Sequence, residues 1–185
     1  MSVVTVDECM LVDPDFNKIL SATLAFCNER GYKAYHKRRH DGLMRNLIVR
    51  KGERTKELLI SIVTTTLADF DDEAFKNMLL GLPLSNTIVG ILHTYNDNIS
   101  DKVTCERLET IYGRDYYRES ILGLQFNVSL YSFFQTNISA VERLYTEALE
   151  MIDDVEGKTV FDLYCGTGTI TQALALKARK AVGVE

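Results

Sequence analysis

No stretch of the sequence approaches the ~18 consecutive apolar residues of a membrane span. Its opening, Met-Ser-Val-Val-Thr-Val-Asp, lacks the basic start and long apolar centre of a signal peptide. The expectation is therefore a cytoplasmic protein with no membrane partner. Cysteine is sparse: Cys9, Cys27, Cys105 and Cys165 are separated by 18, 78 and 60 positions, and none forms a Cys-x-x-Cys pair. Neither a zinc site nor a disulfide framework can be read within the chain, and most such cysteines are expected to be small buried hydrophobes. An excess of positive charge is missing too. The net charge of −5 argues against a surface that binds nucleic acid everywhere. Internal repeats and low-complexity segments are likewise absent.

What is present fits a globular α/β chain of one or two domains. Hydrophobic residues make up 46% and charged residues 25% of the 185, enough for a sizeable core. The charge is unevenly placed. Nine basic residues lie between Lys33 and Lys56 against Asp41 and Glu53, a local net of +7, so the remainder carries −12. Such asymmetry fits a local contact with an anion or RNA, for which Arg38, Arg39 and Arg45 are the candidates. A solvated loop and strand face fits it as well.

Residues 2–6 have β-forming composition. Asp13-Pro14 reads as a helix start, followed by Phe16, Ile19, Leu20, Thr23, Leu24 and Cys27 on one helical face and by Gly31 as a stop. Tyr35 to Gly42 is a basic loop. Strands over 43–51 and 57–66 flank a turn and suggest an antiparallel hairpin. A helix over 71–80 and a strand over 87–94 come next. Strand, helix, strand, strand, helix, strand is the split βαβ, ferredoxin-like order. Short strands are expected near 107–112, 116–122 and 124–129. A long helix then runs from about Ser139 to Asp153, with Ser139 and Glu142 at capping-box spacing. Its apolar stripe is Ile138, Val141, Leu144, Tyr145, Ala148, Leu149 and Ile152.

The most informative stretch is Thr159 to Glu185. An apolar run leads into Cys165-Gly166-Thr167-Gly168-Thr169, a helical pattern follows, and a second apolar run ends at Glu185. Glycines let a backbone approach a ligand closely. A carboxylate about 20 residues after such a turn is placed to bind a ribose diol. Thr171 stands where a dinucleotide fingerprint would carry its third glycine, so a shorter S-adenosylmethionine turn fits better. A nucleotide-dependent oxidoreductase using Gly166, Gly168 and Glu185 for NAD stays open, as does a non-catalytic RNA-binding module built on the basic segment.

The order of segments narrows the choice. Ser132-Phe-Phe-Gln-Thr-Asn137, then Leu144-Tyr145, then Asp162-Leu-Tyr-Cys-Gly-Thr-Gly-Thr169, then Gly183-Val-Glu185 resembles the RNA (uracil-5-)-methyltransferase family, above all its bacterial 23S ribosomal RNA members. Asp41 to Arg50 resembles the central domain of these enzymes. The resemblance implies a central α/β domain over 1–130, then the start of a Rossmann-like S-adenosylmethionine methyltransferase domain over 131–185. It implies RNA, ribosomal or transfer, as partner and methylation of uracil C5 as activity. Gln135, Tyr164, Gly166, Gly168 and Glu185 match cofactor-binding positions, and Thr169 matches one whose residue type varies. The two phenylalanines beside Gln135 favour a buried site for it.

Uracil C5 is a poor nucleophile, so a cysteine thiolate must first add to C6, and a base must later remove the C5 proton. In the family both groups lie beyond the acid matched by Glu185. Cys165 is then a turn residue with a packing role, and the 185 residues alone should be inactive. Cys9 sits in a context resembling that of the fourth ligand of a 4Fe-4S cluster in many members. One cysteine cannot hold such a cluster, so no metal is expected within this chain. A lone βαβ segment leaves sheet faces uncovered, which makes packing on the first domain or self-association of residues 154–185 an expectation.

Overall fold

The computed structural model describes residues 8–100, 103–152 and 154–185. They form two compact units, one lying within the ranges Met1–Lys51 and Lys56–Tyr117, the other within Gly52–Thr55 and Arg118–Glu185. Among the described residues no helix is long and apolar enough to cross a membrane. The strand expected over 2–6 lies outside the described residues.

In the first unit, helix α1 (Pro14–Glu29) starts where Asp13 accepts the Asp15 N–H at 3.0 Å and Pro14 fills the first turn. Its buried face is Ile19, Thr23, Phe26 and Cys27. Leu20 and Leu24, expected inside, are 51% and 53% exposed. Phe26 takes the core position instead, because its ring meets Phe75 edge-on at 5.5 Å and Phe70 at 5.9 Å. Of the four cysteines only Cys27 is buried, and burial pushes its thiol up from the ordinary value.

The sheet of this unit contains β1 (Met44–Lys51), β2 (Glu57–Thr64), β3 (Thr87–Tyr95) and β4 (Arg107–Gly113), side by side in that order. β1 and β2 form the expected antiparallel hairpin. Helix α2 (Asp72–Leu80) then carries the chain to β3, which pairs directly with β2 in parallel, Ile60 opposite Ile91. The mixed α/β class holds, but the split pairing does not. In a ferredoxin-like order a further strand would separate β2 from β3, and here they share hydrogen bonds. Residues 58–63 of β2 are buried throughout. A continuous run of this kind marks a strand covered on both faces. Ile19, Phe26, Leu58, Ile60, Ile62, Phe75, Leu79 and Ile91 form the core around it.

Charged side chains hold the ends of these elements. Asp15 is fully buried and accepts from Ser85 N (2.7 Å), Asn86 N (2.8 Å), Asn86 Nδ2 (2.7 Å) and Lys18 Nζ (3.0 Å). Asp13 accepts from Lys51 Nζ at 2.8 Å and Asn86 Nδ2 at 3.1 Å. Burial works to raise both carboxyls. The hydrogen bonds from Asn86, Lys18 and Ser85 at Asp15, and from Lys51, Asp15 and Asn86 at Asp13, outweigh it and hold both below the ordinary range.

In the second unit, β5 (Tyr116–Ile121) and β6 (Leu124–Ser129) form a hairpin whose β5 starts in the first. Its two turn residues, Leu122 and Gly123, have φ of 51° and 79°, the geometry of a tight hairpin turn. The buried Glu119 carboxylate accepts the N–H groups of Glu53, Arg54 and Ser120, which draws residues 52–55 into this unit. Helix α3 (Ile138–Met151) is capped by Asn137, whose Oδ1 accepts from Ala140 N at 3.0 Å. The expected Ser139 and Glu142 capping box does not form. The helix begins at Ile138, so Ser139 already lies inside it, and Glu142 is drawn away to Leu122 N at 3.1 Å and to the Arg54 guanidinium at 2.6 Å. Ile138, Val141, Tyr145 and Leu149 are the buried stripe, while Leu144, Ala148 and Ile152 stay exposed.

Asp15→Ala should destabilise the protein by about 3 kcal/mol in urea unfolding, because it strands several donors at once. The pH dependence has a definite sign. A carboxyl lowered in the folded state adds stability that is complete above the unfolded value of 3.8 and is lost as pH falls through the folded value. Asp15→Asn should therefore flatten the acid limb of the stability curve below about pH 4. An unchanged limb would show that this carboxylate is not lowered.

Candidate cofactor turn

The second unit ends in a strand–turn–helix–strand. β7 (Thr159–Leu163) and β8 (Lys180–Val184) are parallel, with Leu163 opposite Val184, and α4 (Thr169–Leu174) connects them. The Val184 carbonyl accepts two N–H groups, from Tyr164 at 2.7 Å and Cys165 at 3.1 Å. This pair of hydrogen bonds bends the chain sharply out of β7 and puts Tyr164 at φ 66°, a left-handed conformation that non-glycine residues rarely adopt. Gly166 and Gly168 continue the turn at φ 53° and 74°. A Cβ at either would meet nothing within 4 Å, so backbone angle alone requires glycine there, and space beside the turn is open.

Three side-chain bonds hold the turn. Glu185 accepts the Gly166 N–H at 2.7 Å across a separation of 19 residues. Thr171 donates to Asp162 at 2.6 Å, and the Tyr145 hydroxyl meets Thr169 Oγ1 at 2.9 Å. The third glycine of a dinucleotide fingerprint serves close packing of helix on strand. Here the roles are exchanged. Thr171 occupies the helix position and Gly183 on β8 makes the room, since a Cβ there would lie 2.9 Å from Thr171 Oγ1 and 2.8 Å from Cys165 Sγ. The same contact shows what Cys165 does: its sulfur packs against Gly183.

The expected site residues divide as follows. Gly166, Gly168, Thr169 and Glu185 come together at the turn. Tyr164 is 92% exposed there. Gln135 is exposed, contrary to the expectation of a buried site. Only one of its neighbouring aromatics goes inward: Phe134 packs on Phe126 at 5.7 Å, while Phe133 is 74% exposed. In the basic segment, Arg38 is exposed and Arg39 pairs with Asp41 at 3.0 Å. Arg45 is engaged differently. Its guanidinium donates to the carbonyls of Asn96 (2.9 Å), Asn98 (2.6 Å) and Ser100 (3.0 Å) and lies 4.4 Å from the centre of the Tyr35 ring. Among the described residues no group of three His, Cys, Asp or Glu could hold a metal ion. Cys9 has its backbone tied to the Asn17 side chain.

One constellation escaped sequence reading. Thr64 Oγ1 lies 2.7 Å from His93 Nε2, and His93 Nδ1 lies 2.8 Å from Asp72 Oδ1. It has the outline of a hydrolytic triad. Thr64 is completely buried, however, and His93 is covered by Phe70 and stacked on Tyr95 at 4.1 Å, so no substrate reaches the hydroxyl. Burial lowers the His93 value, which keeps the ring neutral in the sheet, and raises that of Asp72.

No protein-family model matches the sequence. The chain is 49% identical over 183 residues to a protein named an uncharacterized RNA methyltransferase in Caldanaerobacter subterraneus subsp. tengcongensis, covering 99% of this chain and 41% of that protein. To one of the same name in Clostridium tetani it is 44% identical, covering 99% and 40%. Among solved structures, Pyrococcus abyssi tRNA (uracil-54, C5)-methyltransferase in complex with S-adenosyl-L-homocysteine superposes with a TM-score of 0.76 at 23% identity, over 98% of this chain and 42% of that one. That likeness shows a shared fold. The chain spans about two fifths of the length of the curated relatives it matches, and over nearly all of its own length it is similar in sequence to proteins named RNA methyltransferases.

Proposed function

We propose that this chain forms part of an S-adenosylmethionine-dependent RNA (uracil-5-)-methyltransferase and supplies one side of its cofactor site. The observation that carries the reading is the turn itself: two left-handed glycines between parallel strands, with Glu185 at the end of the second. Gly166 and Gly168 let the cofactor approach the backbone. Glu185 commits one carboxylate oxygen to Gly166 N–H, which orients the other for a ribose hydroxyl. Tyr164 and Gln135 are exposed and free to close over the cofactor. S-Adenosylmethionine supplies an electrophilic methyl group and leaves as S-adenosylhomocysteine.

The chemistry of uracil requires a thiolate to activate C5. Cys165 is a poor candidate because its sulfur packs on Gly183. The family resemblance assigns the attacking cysteine and the base to residues outside these 185, so on this reading the chain alone is inactive. The substrate is RNA, with a uridine of 23S ribosomal RNA favoured by the motif resemblance. The neighbour of similar fold acts on transfer RNA, which makes tRNA the alternative. An NAD enzyme is disfavoured by Thr171 in place of the third glycine.

Incubating a protein of the relatives' length with methyl-labelled S-adenosylmethionine and either RNA should place label in 5-methyluridine after nuclease digestion. The 185-residue chain alone should transfer none. Label in another nucleoside would overturn the C5 assignment, and label confined to tRNA would overturn the ribosomal one. Arg38 and Arg39 are assigned to RNA phosphates. Neutralising both should lower the slope of log affinity against log salt by about 1.4, near 0.7 for each contact with single-stranded RNA. An unchanged slope would return the loop to solvent. Arg45→Ala should act by another route, speeding amide exchange at residues 96–100, where it holds the carbonyls of Asn96, Asn98 and Ser100.

A further inference from the structure

The turn has few anchors of its own. Open space surrounds the glycine Cβ positions, Tyr164 projects into solvent, and Thr167 is exposed. Its first half is held by Val184 and Glu185. Its second half passes into α4 through Thr169, whose hydroxyl is hydrogen-bonded to that of Tyr145. Tyr145 is 6% exposed, in the buried stripe of α3 between Val141 and Leu149. A ring packed in this way leaves its hydroxyl little freedom. Thr169 is β-branched, so the bond at 2.9 Å also selects which way its hydroxyl and methyl face.

We infer that Tyr145 is a positioning residue for the cofactor turn: through Thr169 it fixes the second half of the turn in the conformation that receives S-adenosylmethionine. The inference rests on the cofactor reading above and adds a residue on a different helix. Tyr145 touches neither the cofactor nor RNA in this role. A buried tyrosine needs a hydroxyl partner. Placing that partner at the turn couples the packing of α3 to the shape of the site.

The test is isothermal titration of the chain with S-adenosylhomocysteine. Tyr145→Phe keeps the ring and removes the bond, so affinity should fall about fivefold, the worth of one ordinary hydrogen bond. Leu149→Ala is the contrast. It removes packing from the same helix without touching Thr169, and should lower the unfolding midpoint more than Tyr145→Phe does. Affinity of the folded protein should then stay within about twofold. In Thr169→Val the hydroxyl is already gone, so adding Tyr145→Phe should cost nothing further.

Equal affinity of wild type and Tyr145→Phe overturns the positioning role, as does a Leu149→Ala loss matching that of Tyr145→Phe. If the wild-type chain binds no S-adenosylhomocysteine, the cofactor reading fails instead. Amide exchange of the unliganded chain then decides the role of Tyr145. Faster exchange at 166–169 in Tyr145→Phe supports it, and equal rates refute it.

Discussion

A single carbonyl, that of Val184, sets the geometry on which the candidate site depends. It accepts the N–H groups of both Tyr164 and Cys165, so the chain leaving β7 must fold back over the end of β8 instead of running on. A left-handed Tyr164 is the consequence, at a cost of order 1–2 kcal/mol. The strand register supports this arrangement, because Leu163 lies opposite Val184 and delivers the next residue to that carbonyl. Gly183 lies one position earlier and must be glycine to admit Cys165 and Thr171. Turn, strand pairing and helix packing are thus three expressions of one local constraint. The open space beside Gly166 and Gly168 is its product.

The first unit solves a different problem. β2 is buried along both faces and supplies a stable sheet, but the loops and helix ends around it carry polar backbone that must be satisfied. Buried or half-buried charges do this. Asp15 gathers the amides of Ser85 and Asn86, and Arg45 gathers three carbonyls from residues 96–100. In the second unit Glu119 gathers the amides of Glu53 and Arg54. Each side chain is long enough to reach an element distant in sequence, so each converts a loop into a fixed connection. The cluster of Thr64, His93 and Asp72 is different, a buried contact among side chains and not a reactive one.

Local signals in the sequence were legible and long-range ones were not. Asp13-Pro14 and the Gly166–Gly168 turn announce themselves, because caps and left-handed positions demand particular residue types. Strand order is another matter: nothing in residues 57–64 or 87–95 says that they are neighbours, and the same element order fits a split arrangement. Helical periodicity also admits more residues than the core can hold. Leu20, Leu24 and Leu144 satisfy the spacing yet stay outside, because Phe26 and Tyr145 fill the contacts. Gln135 was expected inside on the strength of two phenylalanines, of which only Phe134 is buried. The cofactor turn was readable residue by residue, whereas its tie to Tyr145 was not, since a hydroxyl contact across 24 residues leaves no periodic trace.

The most direct measurement is a nuclear magnetic resonance titration of the 185-residue chain, following the amides of Gly166, Thr167, Gly168, Thr169 and Glu185. If the turn receives S-adenosylmethionine, S-adenosylhomocysteine should shift these five resonances together and NAD should leave them in place. A response to NAD alone, or shifts with S-adenosylhomocysteine confined to residues outside the second unit, would contradict a methyltransferase cofactor turn at this position.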